Sequence, residues 1–111
     1  MQDFYNAIQH LADGRVYAVI AAQDAAYPVL VYTPIERSHL VSLDGPGPVT
    51  RSRVQVDAYA TTLQQCEQLQ DQVLAAVLND INAVVDVRMG LSEFDEDARV
   101  YRVTVDFTYY R

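Results

Sequence analysis

The chain has 111 residues, with 15 acidic against 8 basic side chains, one Cys and 50% hydrophobic composition, which bounds it to one small domain spanning residues 1–111. All 8 basic residues are Arg, so a Walker-type phosphate loop, Schiff-base chemistry and a lysine-rich nucleic-acid arm are excluded. The formal charge is −7, most of it in residues 56–111, and such a balance disfavours direct DNA binding, which depends on neutralising phosphates. Cys66 stands alone, which forbids an internal disulfide and a cysteine zinc site. No basic, apolar leader follows Met1 and no apolar run reaches the ~18 residues of a membrane span, so a soluble protein without membrane partner is expected.

Phe4, Ile8 and Leu11 recur at helical spacing within residues 2–12, and Asp13-Gly14 supplies the stop. Val16 to Ala21 and Val29 to Ile35 read as a strand pair joined by a polar connection. Residues 36–50 read as a long exposed loop, centred on Asp44-Gly45-Pro46-Gly47-Pro48. From Arg51 the pattern alternates, with Val54, Val56 and Ala58 on one side and Arg53, Gln55, Asp57 and Tyr59 on the other. Thr61 with Gln64, or Thr62 with Gln65, makes a capping box for a helix to about Asp80 whose inward stripe is Cys66, Leu69, Val73 and Val77. On that stripe Leu69→Ala is the substitution expected to cost most.

Val84 to Met89 reads as a further strand, and Glu93-Phe94-Asp95-Glu96-Asp97 as a solvated acidic turn before the last and longest strand. In that strand Tyr101, Val103, Val105, Phe107 and Tyr109 oppose Arg102, Thr104, Asp106 and Thr108. The fold class is therefore α+β, a mainly antiparallel sheet of four to five strands with two helices on one face. Charge and apolarity agree if the strand at 53–59 pairs with the last strand so that partners sum to 159, setting Arg53 against Asp106 and Asp57 against Arg102.

Catalytic chemistry finds little support. His10 and His39 lack a metal-ligand partner at short spacing, Cys66 lies on an apolar stripe, and Ser92 lacks the second glycine of a nucleophile elbow. Glu93, Asp95, Glu96 and Asp97 lack the ligand spacing of a calcium loop, and Gly45 and Gly47 sit beside prolines without backbone donors. No cofactor, no metal and no enzymatic activity are expected. Tyr32, Tyr59 and Tyr110 fall on or near faces expected to be polar, which favours a covered second surface.

The ordered pieces resemble the small tail-completion proteins of long-tailed bacteriophages, also described as tail terminators or head-tail joining proteins. The resemblance rests on Gly14-Arg15-Val16-Tyr17 after a short helix, Tyr27-Pro28-Val29-Leu30-Val31-Tyr32 and Leu43-Asp44-Gly45-Pro46. It continues in Arg53-Val54-Gln55-Val56-Asp57-Ala58-Tyr59-Ala60 leading into a helix, and in Tyr101-Arg102-Val103-Thr104-Val105-Asp106-Phe107. Two departures stand out: Ala18 where the family often has Pro, and Thr108 and Tyr109 where it often has Trp. The resemblance implies a non-enzymatic virion component, assembled in the host cytoplasm, that caps the tail tube, ends its polymerisation and joins the head connector as a hexameric ring. Implied partners are further copies of itself, the tube protein and the connector or neck protein. No sequence-specific nucleic acid is expected, although DNA passes through the ring. The contact residues expected are Arg37, His39, Asp44, Gly45, Pro46, Arg53, Asp57, Tyr59, Arg102 and Asp106. The alternative reading is a small α+β ligand-binding or regulatory protein acting through protein contacts.

Overall fold

A computed structural model describes residues 2–22, 25–40 and 49–110. Helix α1 (Gln2–Ile8) turns Phe4, Ala7 and Ile8 inward. It stops earlier than its apolar spacing implies because the Leu11 amide bonds back only three residues, to the Ile8 carbonyl, and the chain then enters a left-handed run at Ala12, Asp13 and Gly14. At Gly14, φ is +83°, a conformation glycine adopts without a Cβ clash.

Five strands follow: β1 (Val16–Ala18), β2 (Val29–Leu40), β3 (Val49–Ala60), β4 (Val84–Asp95) and β5 (Val100–Tyr110), arranged β1-β2-β3-β5-β4. All pairs are antiparallel except β1–β2, which is parallel, so the expected strand pair exists with the less common direction. β1 ends at Ala18 rather than Ala21, because Val19 takes φ +68° and leads the chain out of the ladder.

Helix α2 (Leu63–Asp80) begins at Thr62, whose hydroxyl accepts from the Gln65 amide at 3.2 Å, selecting the second of the two expected caps. Cys66, Leu69, Val73 and Val77 are buried as the stripe requires, and Gln70 is buried beside them. Both helices lie on one sheet face, where Phe4, Ile8, Leu30, Val54, Val56, Val73, Val105 and Phe107 make one core.

Three expectations are corrected. Residues 36–40 and 49–50 are not loop: β2 and β3 continue as a polar hairpin arm in which His39 pairs with Thr50 and Ser38 with Arg51. Cross-strand polar pairs hold this arm, so it shows no apolar alternation to read. Glu93, Phe94 and Asp95 belong to β4, leaving the turn to residues 96–99, and β5, at 11 residues, is shorter than its 12-residue neighbours. The Asp95 carboxylate accepts from the Asp97 and Ala98 amides at 2.9 and 3.1 Å and so shapes that turn.

The third correction is register. β3 and β5 are antiparallel neighbours, but partners sum to 161: Arg53 faces Thr108, Gln55 faces Asp106, Asp57 faces Thr104 and Tyr59 faces Arg102. A shift of two residues keeps every side chain on its face, so the alternation that orients both strands is blind to it.

Cys66 is inert for a physical reason. Its buried Sγ donates to the Tyr101 and Ala58 carbonyls at 3.2 and 3.5 Å, and burial pushes the thiol up from its ordinary value. The folded protein is expected to resist a maleimide at neutral pH and to react fully once denatured, as followed by intact mass. Rapid labelling of the native fold would contradict this.

Candidate functional site

The helices cover one face of the sheet; the other is open except at its β1–β2 end, where Val19 to Ala22, Ala25 and Tyr27 lie beside buried Val29, Val31 and Asp57. On that open face the odd-numbered residues of β3 meet even-numbered residues of β5, the polar end of β2 lies beside Arg51 and Arg53, and Asp86, Arg88 and Glu93 of β4 complete the surface. The period-two pattern that buries Val54, Val56 and Ala58 is what places Arg53, Gln55, Asp57 and Tyr59 here.

Each arginine of this face is tied to a carboxylate. Arg51 reaches Glu36 at 3.2 Å, and Arg53 reaches Glu36 at 3.6 Å and Asp106 at 3.9 Å. Arg88 meets Asp86 at 2.8 Å, and Arg102 pairs with Glu93. The Arg53–Asp106 pair expected from sequence therefore exists, but diagonally across the ladder. Pairs this exposed contribute about 0–1 kcal/mol each, so their main consequence is a face with its positive charge neutralised. Asp57 is only 6% exposed and accepts from Thr104 Oγ1 and, at 3.1 Å, from Gln55 Nε2. The Arg102 guanidinium is raised above its ordinary value, chiefly by its hydrogen bond with Tyr59, with Glu93 and Asp57 adding to the effect.

Glu36 is held below the ordinary carboxylate value, first by the Ser38 hydroxyl, which donates to it at 3.0 Å, and then by Arg51 and Arg53. A depressed carboxylate contributes stability above its unfolded value and loses it as pH falls through the folded value. Acidification is therefore expected to loosen the arm before the core, and Ser38→Ala to move the Glu36 titration upward, as read by carboxyl-carbon NMR. An unmoved titration would show that Ser38 does not hold Glu36.

The expected contact residues separate into groups. Arg53, Asp57, Tyr59, Arg102 and Asp106 come together on the open face. Arg37 and His39 are exposed on the arm, paired with Ser52 and Thr50 and so directed to the helix side. Asp44, Gly45 and Pro46 lie outside the described residues, as does Gly47. Tyr32 is corrected: it faces the helices, with ring centroids 5.9 Å from Tyr5 and 6.4 Å from Phe4, and burial raises its phenol. His10 follows the end of α1 and is exposed, and Ser92 is exposed on β4.

Sequence reasoning missed the apolar margins of the sheet. Val19, Ile20, Tyr27 and Ile35 are exposed at the β1–β2 side, Ile20 by 79%, and Met89 and Phe94 are exposed on β4, at 62% and 44%. Val19 and Ile20 read as strand interior, yet the run from Val16 to Ala21 is apolar at both parities, a cue that one set of side chains needs another cover. A cavity of about 200 Å³ at this margin is lined by Val19, Ile20, Tyr27, Val29, Asp57 and Tyr59 among others. Among the described residues no group of three or more His, Cys, Asp or Glu is placed to hold a metal ion, and no helix is long and apolar enough to cross a membrane.

The described residues form an α+β fold with one helix-covered face and one polar face whose arginines are paired with carboxylates. The chain belongs to the family described as tail completion protein gp17, whose model matches residues 5–110. It is accordingly a structural protein of the bacteriophage tail and a virion component. Its fold is similar to that of a chain in the solved virion of a native gene transfer agent particle, with TM-score 0.56 and 13% identity over 96% of this chain and 90% of that one. No curated protein matches it in sequence.

Proposed function

We propose that this protein forms a closed ring of six copies at the head-proximal end of the tail, caps the tube, ends its polymerisation and joins it to the head connector. It acts by contact alone, without catalysis or cofactor. The observation that supports the channel in particular is the open face, where Arg51, Arg53, Arg88 and Arg102 are each paired with a carboxylate. A passage lined this way offers passing DNA no unpaired guanidinium among those four, and the −7 carried by every copy opposes retention of phosphates. The arm, with Arg37 and His39 exposed, and the segment with Asp44, Gly45 and Pro46 are the parts that contact the tube or the connector. Arg53, Asp57, Tyr59, Arg102 and Asp106 line the passage or its subunit contacts.

The test is negative-stain imaging of particles produced without this gene, scoring tail length and head attachment. Unjoined heads with overlong or irregular tails are expected. Normal, joined and infectious particles would overturn the reading.

A further inference from the structure

The order β1-β2-β3-β5-β4 leaves the sheet with two lateral edges. One is the outer side of β4. The other is composite: β1 covers β2 only at Leu30–Tyr32, so β1 itself and the outer side of β2 beyond Tyr32 form that margin. Unpaired strand edges bearing apolar side chains are templates for further strands, and among the described residues six of the eight exposed large hydrophobic side chains lie along these two margins.

The two edges match in direction and height. β2 runs opposite to β3, β3 opposite to β5 and β5 opposite to β4, so β4 is antiparallel to β2 and to the parallel β1. Following partners across the sheet, Met89 lies level with Val105, Val56, Tyr32 and Ala18, and Val84 lies level with Tyr109, Ser52 and Arg37. A second copy set beside the first at the same height thus brings the middle of its β4 against β1 in antiparallel sense.

Chemistry follows the same register. Met89 arrives at Ala18, next to exposed Val19 and Ile20. Glu93, through Arg102 and Tyr59, lies level with Val29, just before the Leu30 amide that donates to the Arg15 carbonyl. β4 carries Asp86, Glu93 and Asp95 against Arg88 and is net acidic, whereas β1 with Thr33 to Leu40 carries Arg37 against Glu36 and is neutral, so like charge does not oppose the approach of the two margins.

We propose that copies of this chain associate edge to edge, β4 of one copy lying antiparallel along β1 of the next, so that one sheet continues through the assembly. The contact is heterologous and leaves a free edge of each kind on every copy, so it repeats until a ring closes. It rests on the ring reading above and deepens it by naming the surface between subunits.

Facing residues of adjacent antiparallel strands lie within the Cα separation a disulfide spans, about 4.4–6.8 Å. Ala18→Cys and Met89→Cys are therefore combined in one chain, and tails assembled with it are oxidised with copper phenanthroline and run on a non-reducing denaturing gel. A ladder of covalent multimers is expected from the double variant, with neither single variant cross-linking. Several copies per tail by quantitative mass spectrometry but no ladder would overturn the edge contact and leave the ring intact. Dimers from a single variant would overturn it too, since they require like edges to meet. One copy per tail would overturn the ring reading and this inference together. Independently, Met89→Asp is expected to lower incorporation into tails several-fold with unchanged melting, whereas Leu78→Asp, exposed on α2 away from both edges, incorporates normally. Normal incorporation of Met89→Asp would overturn the proposal.

Discussion

Phe4→Ala is expected to destabilise the fold by about 3–5 kcal/mol, the range for removing a wholly buried aromatic ring. Phe4 is 0% exposed, and its ring meets Phe107 edge-on at 5.6 Å and stacks on Tyr109 at 6.1 Å. These contacts attach α1 to the end of β5, and a seven-residue helix has no stability of its own to fall back on. The loss should therefore combine a cavity in the core with release of α1. Urea denaturation followed by far-UV dichroism measures it, with Asn6→Ala on the exposed side of α1 as control. A loss below ~1 kcal/mol would mean that α1 is not anchored through Phe4. On the α2 stripe Leu69 is 5% exposed, and the largest wholly buried side chains of the core, Phe4 and Phe107, lie outside that stripe.

Gln70→Ala is expected to cost about 2–4 kcal/mol, while Gln70→Leu costs less. Gln70 is 2% exposed, and its Nε2 donates to the Val56 carbonyl at 2.9 Å and the Val103 carbonyl at 2.7 Å. One side chain of α2 thus binds two neighbouring strands, β3 and β5. Alanine removes both the bonds and the volume, whereas leucine restores most of the volume and leaves the amide bonds missing. The difference between the two variants in denaturation midpoint reads packing, and the residual loss in the leucine variant reads the bonds. Equal losses in both would assign the whole effect to hydrogen bonding, and no loss in either would remove Gln70 from the account of how the helix seats.

The assembly surface was the least legible part. Polar residues of β3 and β5 could be grouped on one face from alternation alone, and the structure does group them. Val19, Ile20, Met89 and Phe94 could not be recognised as margin residues, because a strand at the edge of a sheet and one at its centre carry the same local pattern. The polar arm was hidden for the opposite reason: a hairpin that lies beyond the core has no buried side to mark it.

What the amino-acid sequence determined by itself is each element's orientation. Period two in β3 and β5 and a 3.6-residue stripe in α2 decide which side chains turn inward, since those periods follow from backbone geometry and burial alone. The Thr62 cap and the left-handed stop near Gly14 are equally local. Only the tertiary structure decided the register of 161 rather than 159, the parallel β1–β2 pair and the two free edges. Each of these depends on which distant surfaces meet. Moving a strand by two residues leaves its own alternation unchanged but alters which carbonyls Gln70 can reach and where Phe107 and Tyr109 meet Phe4.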